Sequence, residues 1–264
     1  MSEFDTIKIE DDLTNCIVII YLNRPDQFNA LNYQLAEDLF NALTQISKNN
    51  NIRSLIITGK GKAFCGGGDL IEFKKAKDPR GFISKLANKL HDSIKLLKSM
   101  RIPSIAAING ACFGAGLGLA CACDLRICSK NATFGSAFVG VGLSPDSSST
   151  FHLPKIVGLS LANEMLLTNR ILKAEEALKF NLVSQIVEVD KLIEQVKKIA
   201  KKIRNGAPIA LQRAKMLINE SFMNSIETQL NKEAEEITFT AGTEDFQEGV
   251  KAFFEKRDPL FKAK

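Results

Sequence analysis

Apolar and polar positions follow two rhythms along this 264-residue chain, and the rhythm changes near its middle. Ile7–Ile9 and Ile17–Leu22 read as β segments, the second β-branched and apolar, with the charged DDLTN stretch as a hairpin-like turn between them. Asn29–Leu31 leads into Tyr33–Ser47, where Leu35, Leu39, Leu43 and Ile46 recur at helical spacing. That helix ends at the Asn-rich Asn49–Asn51, and Ser54–Thr58 follows as a short buried strand bounded by Gly59 and Gly61. The pattern then turns over again. Phe82–Met100 carries Ile83, Leu86, Leu90, Ile94 and Leu97 and predicts a helix; Ile105–Ile108 predicts a strand, Gly114–Cys123 a small-residue helix and Asp124–Cys128 another strand. From Leu153 onward the chain is helical in pattern: Ile156–Leu167, Lys173–Phe180, Lys191–Ile203, Pro208–Ser221, Asn224–Thr240 and Glu244–Phe254, with only Val183–Glu188 strand-like. Short strands alternating with helices, without a Gly-x-Gly-x-x-Gly fingerprint, predict a layered α/β fold with a loose β-β-α recurrence rather than a dinucleotide-binding domain. The expected division is a core over residues 1–200 and a helical C-terminal region over 201–264.

Composition narrows the classes. At 45% hydrophobic residues the chain can bury one sizeable core. Thirty-five basic residues against 30 acidic ones give a net charge of +5, too mild to imply nucleic acid but suited to a polyanionic small molecule. Six cysteines form no CxxC pair, only two histidines are present, and the thiols read as buried groups of a reducing compartment. The acidic start MSEFDTIKIEDD does not resemble a secretory signal, no apolar run reaches spanning length, and LFKAK matches no targeting signal. A soluble, cytoplasmic protein is expected.

Three stretches could carry chemistry. In GKAFCGGGDL (Gly61–Leu70), the three glycines before Asp69 suggest a tight turn entering a helix, where free amides and a positive helix end favour developing negative charge. Gly68 N–H is the candidate donor; the plainer alternative is a Gly-rich turn with Asp69 as helix cap. Gly114–Gly118 offers a second set of bare amides at another helix start, with Ala115 N–H favoured, although Gly116 and Gly118 could equally serve close packing. In SPDSSST (Ser144–Thr150), Asp146 could cap the next helix or project into a pocket as an acid–base group. His91 reads as a surface or packing residue, and His152 lies beside the turn without a nucleophile partner. No GxSxG motif exists, and two isolated histidines assemble no metal cluster.

These stretches carry a resemblance. LNRPDQFNAL (Leu22–Leu31), AFCGGGDL (Ala63–Leu70), IPSIAAINGACFGAGLGLACACDLRIC (Ile102–Cys128), FGSAFVGVGLSPD (Phe134–Asp146) and EGVKAFFEKRDPLF (Glu248–Phe261) resemble the crotonase superfamily of enoyl-CoA hydratases and isomerases over almost the whole chain. The resemblance implies a spiral of β-β-α repeats, a C-terminal helical trimerisation region, homotrimers or dimers of trimers, and acyl-CoA thioesters as substrates without a further cofactor. It implies that the thioester oxygen sits between the Gly68 and Ala115 amides. It also suggests that Arg24 and Lys256 reach the nucleotide end of CoA, and that Ala30, Ala63, Gly66, Asp69 and Leu70 lie along the substrate's path. The family's lysine after the oxyanion Asp is replaced by Ile71, with Lys74 and Lys75 nearby. Gly118 and Phe138 stand where hydratases of the mitochondrial type carry their two glutamates. Asp146 resembles the acid of enoyl-CoA isomerases and, more closely, of the phenylacetate-pathway ring isomerase, whose usual Gly-Gly after the acid is here Ser148 and Ser149. The expectation is an isomerase with Asp146 as its base, in an apolar pocket walled by Phe138 and Val141. A hydratase, an epoxyphenylacetyl-CoA-type ring isomerase or a non-catalytic acyl-CoA binder is the alternative.

Overall fold

In the computed structural model, which describes residues 4–264, the chain builds two sheets as one spiral. Strands β1 (Ile7–Asp12) and β2 (Ile17–Leu22) form an antiparallel pair; helix α1 (Tyr33–Lys48) follows, then β3 (Ser54–Gly59) and β4 (Ala63–Cys65). After α2 (Leu70–Lys75) and α3 (Pro79–Ser99), the strands β5 (Ser104–Ile108) and β6 (Ala111–Phe113) precede α4 (Ala115–Ala122), and β7 (Leu125–Ser129) and β8 (Thr133–Gly135) begin the next turn. Each turn gives one strand to each sheet. The larger sheet runs β1-β2-β3-β5-β7-β10, where β10 is Gln185–Val187, and the smaller runs β4-β6-β8-β9, where β9 is Leu172–Lys173. Apart from β1 and β9 at the sheet edges, neighbouring strands pair in parallel. This is the β-β-α spiral that the resemblance implies, and it bears out the layered α/β fold read from the pattern.

The apolar run of β2 is continuous because both its faces are covered, as in buried parallel sheets. Val18, Ile20 and Leu22 point into the main core with Leu35, Leu39 and Leu43 of α1. Ile17 and Ile19 point the other way, with Ile56, Ile105 and Ile127, against Leu192, Val196 and Ala200 of α8 (Leu192–Arg204). The division expected at residue 200 therefore falls inside a helix that closes one face of the large sheet.

Other differences from the sequence pattern have local causes. Asp11 and Asp12 belong to β1, paired with Val18 and Ile17 at the sheet edge where their side chains meet solvent, so the turn is shorter than DDLTN. Strands β4, β6, β8 and β9 were not expected, since two or three residues show no readable period. The helix expected over Ile156–Leu167 is two, α5 (Ser149–Val157) and α6 (Leu159–Thr168), broken at Gly158. Helix α7 (Ala174–Lys179) then leads to β10.

The remaining helices are α9 (Pro208–Glu220), α10 (Ile226–Ala241) and α11 (Glu244–Glu255). Lys215 fastens α9 to the core: only 7% exposed, it donates to the carbonyls of Leu97 and Ile102 at 2.9 and 3.0 Å and pairs with Asp124 at 2.9 Å. A buried ammonium is tolerated only with such partners. Helices α10 and α11 leave Ile226, Leu230, Ile237, Phe239, Phe253 and Phe254 exposed in the single chain. No helix among the described residues is long and apolar enough to cross a membrane.

Candidate active site

The two glycine-rich stretches meet. Gly67 has φ +105° and Gly114 has φ +52°, conformations that L side chains rarely adopt, and a Cβ on Gly67 would lie 3.8 Å from the Gly114 Cα. Bare backbone at both positions lets the loop before α2 and the start of α4 touch. Neither the Gly68 nor the Ala115 amide has a hydrogen-bond partner among the described residues, because the bridge to Leu31 uses the Gly67 carbonyl and the Asp69 amide instead. Ala115 opens α4, so its amide is one of the donors every helix leaves over.

Both amide-bearing residues line one cleft of about 340 Å³. Its walls are mostly apolar: Leu31, Leu70 and Phe73 on one side, Ile83, Leu86, Ala87 and Leu90 of α3 on another, and Phe138, Val141 and Leu143 on a third. Gly66 and Asp146 also line it, and Asp146 is the only ionisable side chain among the lining residues. Phe138, Val141, Gly66 and Leu70 all line this cleft.

The carboxylate of Asp146 settles one open alternative: it does not cap α5. The Ser148 cap position receives no side-chain bond, and the Ser149 hydroxyl bonds to the Asp146 carbonyl at 2.7 Å. Asp146 Oδ1 instead meets Nε2 of His91 at 2.7 Å, and Oδ2 accepts from the Ser147 hydroxyl at 3.3 Å. With side-chain exposures of 38% for Asp146 and 35% for His91, the acid lines the mostly apolar cleft beside Phe138 and Val141 and stays open to solvent at its edge. His91 is the partner of Asp146 that the sequence pattern missed. A signal existed: Ile83, Ala87 and His91 stand at i, i+4 and i+8 on α3, a single stripe, and the first two line the cleft.

The turn at Asp146 is held by packing. A Cβ on Gly118 would lie 2.2 Å from the Ser147 carbonyl oxygen, and one on Gly116 would lie 2.4 Å from that of Cys65. Both are packing glycines. Ser147 and Ser148 adopt the left-handed region, at φ 57° and 62°, whereas Ser149 is helical. The replacement of Gly-Gly thus places left-handed strain on Ser148 alone of the two positions.

Several expected contacts are absent from the cleft. Ala63 is buried in β4, and its carbonyl accepts from Asn29 at 2.8 Å. Arg24 turns inward, donating to the Ala30 carbonyl and to Asp69 at 2.8 Å, with 14% of its side chain exposed. The LNRPDQFNAL motif therefore braces the glycine turn, and Arg24 is spent on a neighbour rather than left free for a phosphate. Asp69 caps α2, accepting from Ile71 N and Glu72 N. Burial opposes its charge, but bonds from Arg24 and these amides outweigh it and hold the carboxyl below its ordinary range. Lys256 ends α11 in the left-handed region and does not reach the cleft within this chain.

The thiols are not candidate nucleophiles. Five of the six cysteines are buried, and burial pushes Cys65 and Cys121 up to about 11 and Cys123 and Cys128 up to about 12. No group of three or more metal-binding side chains occurs among the described residues. His152 faces a second cavity beneath α9 and meets Ser148 Oγ at 2.9 Å. Burial, reinforced by Lys98, Lys155 and Arg126 against the pull of Asp124, brings its imidazole down to about 4 from 6.5. The folded state therefore stays neutral where the unfolded chain takes up a proton, so stability falls as pH drops from about 6.5 to about 4. After allowance for partial exposure the loss amounts to roughly 1–2 kcal/mol. His152→Gln is expected to flatten the dependence of the melting temperature on pH across that window, as thermal denaturation at stepped pH will read.

The fold agrees with that of other proteins. Residues 12–264 match the sequence profile of the enoyl-CoA hydratase/isomerase family. The chain belongs to this family, within the crotonase superfamily. It is 35% identical to the short-chain-enoyl-CoA hydratase of Clostridium acetobutylicum over 243 residues, covering 91% of this chain and 92% of that protein. It is 31% identical to the 1,2-epoxyphenylacetyl-CoA isomerase of Escherichia coli over 252 residues, 94% and 95% of the two chains. The crystal structure of an enoyl-CoA hydratase from Bacillus anthracis superposes with a TM-score of 0.94 at 35% identity, over 98% of this chain and all of that one. This member of the family is an enzyme whose substrates fall within acyl-CoA chemistry, and its relatives include both hydratases and isomerases.

Proposed function

We propose that the enzyme is an enoyl-CoA isomerase that shifts a double bond of an acyl-CoA thioester, with Asp146 as acid and base. The observation that carries this reading is that the cleft holding the two free amides is lined by one ionisable side chain, Asp146. The thioester oxygen accepts from Gly68 N–H and Ala115 N–H, and a donor so placed is worth roughly 2.7–4 kcal/mol in the transition state. Asp146 takes a proton from C2 of a 3-enoyl-CoA, the electron pair moves into the dienolate, and the same carboxyl protonates C4. One base suffices for this 1,3-shift. Hydration by paired glutamates lacks carriers: Phe138 fills one position and the packed Gly118 the other. The apolar lining fits a hydrocarbon acyl group, and no cofactor is needed.

A second reading, hydration, is favoured by the imidazole of His91 beside Asp146, which supplies a second acid–base group at the cleft mouth. Ultraviolet absorbance separates the two. Isomerisation of a 3-enoyl-CoA creates the conjugated thioester chromophore, whereas hydration of a 2-enoyl-CoA removes it; hydration alone would overturn the isomerase reading. The exposed apolar faces of α10 and α11 support assembly into homotrimers or dimers of trimers.

A further inference from the structure

We infer that His91 is a positioning residue that relays protons between Asp146 and solvent, so that hydrogen removed from substrate carbon exchanges with water. Three observations meet here. His91 Nε2 lies 2.7 Å from Asp146 Oδ1, a direct path for a proton. The imidazole is 35% exposed at the mouth of the cleft, whereas the cleft walls beside it are apolar. The other oxygen of Asp146 takes the Ser147 hydroxyl, and Ser147 is fully buried, so that hydroxyl passes no proton on to water when substrate covers the open edge of the acid.

The step balances without an external reagent. The C2–H bond breaks, its electron pair enters the enolate and Asp146 gains the proton. With the imidazole in its Nδ1–H tautomer, that proton crosses to Nε2 as Nδ1 releases its own to water, and the Nε2–H so formed is the donor to the ionised carboxylate. Reversal along the same route delivers a solvent hydrogen to carbon. Without the imidazole, a substrate-covered Asp146 returns the hydrogen it removed. This inference extends the isomerase reading, but it needs only the amide pair and Asp146 to make an enolate.

The test is deuterium uptake at C2 of a saturated acyl-CoA in D₂O, read by mass spectrometry, beside isomerisation of a 3-enoyl-CoA read by absorbance. The wild-type enzyme should exchange the C2 hydrogens. His91→Gln, which keeps a hydrogen-bonding side chain but carries no proton, should slow exchange at least 10-fold while isomerisation falls no more than a few-fold. A merely structural role would lower both together. Exchange by His91→Gln at the wild-type rate, loss of both activities in parallel, or no exchange by the wild-type enzyme would overturn the relay. Wild-type exchange without isomerisation would leave the relay standing and sink the isomerase reading instead.

Discussion

Asp146→Asn is expected to lower turnover of a 3-enoyl-CoA by roughly 10²–10⁴-fold, the range for loss of a positioned general acid–base group. No other acid lines the cleft to take over, and the partner of Asp146, His91, is not among the lining residues. The amide keeps the shape of the acid. Its oxygen can still accept from His91 and its nitrogen can face the Ser147 hydroxyl, so the turn should hold and the melting temperature should stay near wild type. The Gly68 and Ala115 amides are untouched, so affinity for a saturated acyl-CoA, measured by calorimetry, should change little. A thousandfold loss corresponds to about 4 kcal/mol of transition-state stabilisation. Near-wild-type turnover of the Asn variant would remove Asp146 from the chemistry.

Gly118→Glu, which places an acid where hydratases of this family carry one, is expected to create no hydratase and to damage the site. The Cβ alone would lie 2.2 Å from the Ser147 carbonyl oxygen and 2.7 Å from the Ser147 Cβ, and both belong to the fully buried residue that follows Asp146. Relief requires that α4 and the turn move apart. That displaces either the Ala115 amide at the start of α4 or Asp146, so isomerase activity falls with stability. Overpacking of this kind costs about 3 kcal/mol, or roughly 6–12 °C in melting temperature for a chain of this size. Thermal unfolding and absorbance assays with both enoyl-CoA isomers check it. A variant that melts at the wild-type temperature and gains hydration of 2-enoyl-CoA would show that the contact is not what keeps this position free of an acid.

Much of the site was legible because it is local. Asp69 as a helix cap, Gly68 and Ala115 as free amides and Asp146 in its turn each depend on a few neighbouring residues, and short-range chemistry is written in sequence order. Gly116 and Gly118 were ambiguous between ligand approach and packing, and only the position of Cys65 and Ser147 decided for packing. Arg24 illustrates a different limit. Its motif was recognisable, but whether a guanidinium faces phosphate or a carboxylate 45 residues away depends on how the chain returns, and here Asp69 is the partner.

By itself the sequence determined the alternation of short strands with helices, the helical C-terminal region and a single acid at the SPD turn, and its resemblance to a family implied the spiral. Periodicity and motif spacing are properties of contiguous segments. Tertiary structure alone decided three things. It paired strands of two or three residues into a second sheet, since such strands exist only through their neighbours. It gathered Phe138, Val141 and the α3 residues around Asp146 as one cleft and left the acid partly exposed at its edge. And it set His91 against Asp146 across 55 residues of chain, joining a helix face to a turn through a contact that no local pattern encodes.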